Sequence, residues 1–116
     1  MTLQERYKGK ELSFLINIVE HQQDYTLEAV YVVKQEIVNQ GFSQEQVFDE
    51  ARKMLKKRIW DYLEGFDVVN GKLELIESYY FNEEEVKLYF REVFTEWQQK
   101  HKDMIPEGWL YALGGF

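Results

Sequence analysis

The chain has 116 residues, with 14 Lys+Arg against 21 Asp+Glu, a formal net charge of −7, and no cysteine. With 45% hydrophobic residues, 30% charged residues and one proline, it reads as a soluble globular domain rather than a disordered or collagen-like chain. The absence of cysteine excludes disulfides, thiolate catalysis, Cys-ligated zinc and iron–sulfur clusters.

The length suits one helical domain over residues 1–116, large enough to fold around a core without covalent staples. The opening residues lack the basic segment and apolar run of a secretory signal. The longest apolar stretch, Ala29 to Val33, falls far short of the roughly 20 residues a membrane helix needs. A cytoplasmic protein with no membrane association is the expectation. Acidity is uneven: residues 1–50 carry four basic and nine acidic side chains, and residues 51–116 carry ten and twelve. This balance disfavours broad attraction to nucleic-acid phosphates and is compatible with a basic protein partner.

Thr2 and Glu5 have the spacing of a capping box, so a short helical turn can precede Gly9. The first principal helix is expected from about Lys10 to His21, because Leu12, Leu15, Ile16 and Val19 recur at helical spacing, with Phe14 and Ile18 widening the stripe. A second helix runs from about Leu27 to Gln40, with Asp24 or Thr26 as cap and Glu28 in the first turn. Leu27, Val30, Tyr31, Ile37 and Val38 are assigned to its core face. Gly41 occupies the position of a left-handed C-terminal cap. Directly after it, Ser43 and Gln46 offer a second capping box, with Phe42 as a staple. The third helix, about Gln44 to Leu63, presents Phe48, Ala51, Leu55, Ile59, Tyr62 and Leu63.

The period then changes. Asn70-Gly71 between two β-prone runs predicts a small hairpin over about 66–76, since a type I′ turn needs positive φ at both central residues. Asn82 and Glu85 cap a fourth helix with a stripe of Val86, Tyr89, Phe90, Val93, Phe94 and Trp97, ending near Gln99. Pro106 can begin a last turn containing Trp109, Leu110 and Leu113. The fold class is therefore mainly α: four principal helices, one hairpin and a short C-terminal helical turn. Its core is expected to include Leu15, Ile16, Val19, Val30, Ile37, Leu55, Ile59, Phe90, Val93 and Trp97.

Two surfaces stand out as partner-binding candidates. Lys53, Lys56, Lys57 and Trp60 share the side of the third helix opposite Leu55 and Ile59 at 100° per residue. An outward tryptophan among lysines can stack on a base or enter a pocket on an acidic partner. The simpler reading is a solvated face, because Asp49, Glu50 and Asp61 lie at ion-pair spacing from Lys53 and Lys57. The second surface is the apolar end of the chain, Trp109, Leu110, Tyr111 and Phe116, which either docks into its own core or anchors another chain.

Catalytic and metal chemistry find little here. Glu83-Glu84-Glu85 suits the positive end of a helix dipole better than a cation site, and no calcium-loop pattern is present. His21 and His101 form no local ligand pair, and a site would require them to meet in space beside Asp24 or Asp103. There is no P-loop, dinucleotide fingerprint or nucleophile elbow. No catalytic, cofactor-binding or metal-binding residue is assigned, and the chain is not expected to be an enzyme.

Glu11-Leu12, Ile18-Val19, Asp24-Tyr25, Glu28-Ala29-Val30 and Gln35-Glu36 together resemble a segment of uncharacterised bacterial proteins. The resemblance covers less than a third of the chain and departs from the pattern where Val32-Val33 replace small residues. It implies a helix, a tight link carrying the tyrosine and a second helix, and no activity.

The leading functional expectation is a non-catalytic protein-interaction domain, an adaptor, regulator or acidic inhibitor, whose partner is another protein or a second copy. The alternative is a winged-helix-like nucleic-acid binder using helix 44–63, with the hairpin as its wing. Asp67, Glu74 and Glu77 against Lys72 make that wing a poor match for phosphates.

Overall fold

A computed structural model describes residues 1–64 and 76–101. The chain divides into two compact units, residues 1–54 and 55–116. The described residues are mainly helical: α1 (Leu3–Tyr7), α2 (Leu12–Glu20), a 3-10 turn (Gln22–Asp24), α3 (Leu27–Asn39), α4 (Gln44–Glu64) and α5 (Glu83–Lys100). α4 begins in the first unit and ends in the second.

In the first unit three helix starts have a local chemical cause, while α2 begins after Glu11 without a side-chain cap. The Thr2 hydroxyl accepts from the Glu5 amide at 3.2 Å and opens α1. The Thr26 hydroxyl accepts from Ala29 at 3.1 Å and opens α3. Ser43 and Gln46 form the reciprocal box before α4, at 3.1 Å to the Ser43 hydroxyl and 2.8 Å to the Gln46 carboxamide oxygen. Each satisfies amides that the first helical turn leaves without an intrahelical partner. Glycines at positive φ, Gly9 at 71° and Gly41 at 83°, let the chain turn after α1 and after α3.

Both α1 and α2 pack against α3. Tyr7, Leu15, Ile16, Ile18, Val19, Ala29, Val30, Val33 and Ile37 are buried. Each large aliphatic side chain removed from water contributes roughly 1.5–3 kcal/mol before the cost of ordering it. The expected core face of α3 requires correction. Leu27, Tyr31 and Val38 are exposed, at 89%, 64% and 68% of their surface, while Ala29 and Val33 take the inward positions beside Val30 and Ile37. Taking 100° per residue, the buried face is rotated by about 90° from the one that the largest apolar side chains define.

In the second unit Leu55, Ile59 and Leu63 of α4 and Val86, Phe90, Val93 and Trp97 of α5 are buried. All ten residues expected in the core are buried, five in each unit. Asn82 and Glu85 complete the expected capping box of α5. Just before it the Ser78 hydroxyl accepts from the amides of Tyr80 and Phe81, and Phe81 is buried with its ring edge-on to Tyr89. Arg58 holds this segment to α4 by donating to the Glu77 carbonyl at 2.9 Å.

The expected hairpin over 66–76 gains no support. No strand occurs among the described residues, and apart from Ile76, which is in neither helix nor strand, the segment lies outside them. The expected C-terminal turn with Trp109, Leu110, Tyr111 and Phe116 also lies outside the described residues.

A Cβ on Gly41 would meet nothing within 4 Å, so Gly41→Ala tests backbone strain alone. The substitution is expected to lower stability by about 1 kcal/mol in urea denaturation, with Gly41→Asn losing less because asparagine tolerates the left-handed region better.

Candidate functional site

The site is built on α3, whose rotation is held by a polar clamp at the α1–α2 joint. The Glu36 carboxylate accepts from the Gly9 amide at 3.0 Å and from the Gln40 carboxamide. Gln40 in turn donates to the Lys10 carbonyl at 3.1 Å. Glu36 and Gln40 are one helical turn apart and fasten to consecutive backbone residues, so one edge of α3 is tied to the bend between two helices. The Gly9 hydrogen bond, followed by that from Gln40, holds the Glu36 carboxyl below its ordinary value, against a smaller opposing effect of burial and with a still smaller contribution from the Lys8 charge. An open groove of about 740 Å³ runs along this side, lined by Thr2, Glu5 and Lys8 and by Tyr31, Val32 and Gln35.

With that edge tied down and Ala29, Val33 and Ile37 turned inward, the solvent side of α3 is decided. Leu27, Tyr31 and Val38 lie within an arc of about 40° and Lys34 within about 60° of them all, at 100° per residue. The result is an apolar line along the full length of α3, broken by one cation. Exposed large apolar residues scattered singly are ordinary, whereas here three of them are aligned on one helix.

The sequence-derived residues of α4 have a different setting. Lys53, in the first unit, is exposed. In the second unit Lys56 pairs with Glu92 at 3.2 Å and places its ammonium 5.6 Å from the Tyr89 ring centre. Lys57 pairs with Asp61 at 3.2 Å. Trp60 is half-buried, with Lys100 over its ring at 5.1 Å and His101 at 6.1 Å. The second-unit cations expected to meet a partner thus have intramolecular neighbours, and such exposed pairs are worth little in stability. The other predicted residues, Trp109, Leu110, Tyr111 and Phe116, lie outside the described residues.

Glu64 organises the remaining polar group of this unit. Its carboxylate accepts from the Trp97 indole at 3.2 Å and lies 3.4 Å from His101 Nε2. His101 stacks on Trp97 with ring centres 4.4 Å apart, and its Nδ1 lies 3.0 Å from the Trp97 carbonyl. Both ring nitrogens therefore face acceptors, and only the doubly protonated ring donates to both. These contacts tie the end of α4 to the end of α5. His21 is far simpler: its Nδ1 lies 2.9 Å from the Asn17 carbonyl at the end of α2. Among the described residues no group of three or more His, Asp or Glu is placed to hold a metal ion.

Comparison with protein-family models, curated proteins and solved structures finds no significant match. The site is therefore read from its own chemistry. Sequence reasoning missed both halves of it, the Glu36–Gln40 clamp and the exposure of Leu27, Tyr31 and Val38. The available signal was an excess: α3 carries more large apolar residues than one buried face can hold.

The clamp yields a pH prediction. Because the Glu36 carboxyl titrates below its ordinary value of 4.5, its contribution to stability is present above that pH and is lost as pH falls through the folded-state value. Wild type is expected to exceed Glu36→Gln in urea midpoint at neutral pH, and the gap is expected to narrow as pH falls below 4.5. Parallel denaturation curves across pH measure it.

Proposed function

We propose that this protein is a non-catalytic protein-interaction domain, an adaptor or regulator whose contact surface is the outer face of α3. One observation carries the reading: Leu27, Tyr31 and Val38 stand exposed in line on a helix whose inner side is closely packed. Tyr31 at its middle supplies an aromatic ring of the kind that interface centres favour. Rigid presentation adds to it, because α3 is packed by both α1 and α2 and so loses little freedom when it binds. The chemistry of the second unit agrees with this reading, since the Lys56 and Lys57 ammonium groups already face carboxylates that weaken attraction to phosphate. No helix of the described residues is long and apolar enough to cross a membrane.

A double substitution, Leu27→Glu with Tyr31→Glu, tests the surface. Both side chains are mostly in water, so stability is expected to stay within about 0.5 kcal/mol of wild type. Partners retained by the immobilised wild-type protein are expected to be lost on the variant. Equal retention by both proteins would place the contact surface elsewhere.

A further inference from the structure

Three of the four basic residues among the first 50 positions line a single cavity. Arg6 lies in the last turn of α1, Lys8 follows its end, and Lys10 comes after the bend that Gly9 makes at a φ of 71°. The fourth, Lys34, belongs to α3. Like charges gathered in one hollow repel one another, and a bound anion relieves that repulsion. No carboxylate of the described residues forms an ion pair with Arg6, Lys8 or Lys10. Lys8 has a weak, longer-range attraction to Glu36, and Glu5 is the sole carboxylate in the lining.

The cavity measures about 460 Å³, within the roughly 300–1,000 Å³ that small-molecule sites occupy. Its lining is aromatic as well as charged. Buried Tyr7 and Ile18 line it beside Phe14 and Tyr25, which are 47% and 40% exposed. The Lys10 ammonium lies 5.7 Å from the Phe14 ring centre, so a positive charge and a half-exposed aromatic ring stand side by side.

We propose that this cavity binds a nucleoside phosphate, with its base against Phe14 and Tyr25 and its phosphates among Arg6, Lys8 and Lys10. The site shares no residue with the outer face of α3 and stands independent of the function proposed for that face.

Each part of the lining matches one part of such a ligand. A guanidinium and two ammonium groups suit an anion with several oxygens, since Arg offers a planar fork and Lys a mobile point charge. An inorganic anion would leave both rings in water. An acidic peptide side chain would bring charge without a planar face. A heterocyclic base stacks on aromatic rings through its π-face, and the phosphates joined to it reach the cations around the bend. A longer strand would instead carry further phosphates past Glu11 and Asp24, which adjoin Lys10 and Tyr25 in the sequence.

Nuclear magnetic resonance titration of the full chain with ATP at low salt tests the site. Amide shifts are expected to centre on residues 6–10, 14 and 25, and to saturate at one ATP per chain. The expected dissociation constant is on the order of 100 μM, rising with salt. Adenosine and tripolyphosphate, the two halves of the probe, should each bind at least about tenfold more weakly. Arg6→Glu and Lys10→Glu should each weaken ATP binding about tenfold, and Phe14→Ala about fivefold or more. All three positions are exposed, and circular dichroism melts check that the variants fold. A single strand of about eight nucleotides should bind no more tightly than ATP.

An absence of shifts at about 5 mM ATP would overturn the proposal, as would shifts confined to residues outside the cavity. Affinity indifferent to all three substitutions would do the same. Tripolyphosphate binding as tightly as ATP would overturn it by reducing the site to a general anion patch. A single strand binding at least about tenfold more tightly than ATP would overturn it in favour of strand recognition.

Discussion

The rotation of α3 about its own axis is the constraint on which the N-terminal unit and its candidate site depend. A helix carrying Leu27, Ala29, Val30, Tyr31, Val32, Val33, Ile37 and Val38 has apolar groups around most of its circumference, so burial alone does not select one face. The clamp selects it. The Glu36 carboxylate accepts from the Gly9 amide and Gln40 donates to the Lys10 carbonyl, contacts that form when that edge of α3 lies against the bend between α1 and α2. Hydrogen bonds at such exposed positions add modestly to stability. Their directionality nevertheless breaks a near-degeneracy that the non-directional hydrophobic effect leaves open.

The consequence is a division of labour on a single helix. Ala29 and Val33, small or compact, go inward where α1 and α2 approach closely, and the larger Leu27 and Tyr31 go outward. Folding thereby leaves Leu27, Tyr31 and Val38 in water at a local cost.

The second unit spends its aromatic residues differently. Phe81, Phe90 and Trp97 are buried, and Trp97 also donates to Glu64, so that ring both fills space and fixes the ends of two helices. Lys56 and Lys57 of α4 reach Glu92 and Asp61, whose carboxylates offset their charge. Of the features that made this helix attractive as a recognition element, Trp60 keeps partial exposure, framed by Lys100 and His101.

Local chemistry was legible in the amino-acid sequence because it acts over three or four residues. Thr2, Thr26, Ser43 and Asn82 start helices at the expected places, Gly41 ends one, and ten residues named for the core, from Leu15 to Trp97, are buried, whereas Leu27, Tyr31 and Val38 are not. Each of these follows from a hydrogen bond or an apolar spacing contained within one segment. Tertiary structure alone decided which side of α3 faces the interior, since that depends on Gly9 and Lys10 meeting residues 27 and 30 positions later. Periodicity reports that a helix has apolar faces. It does not report which of two is used when the choice is made by a directional contact from a distant part of the chain.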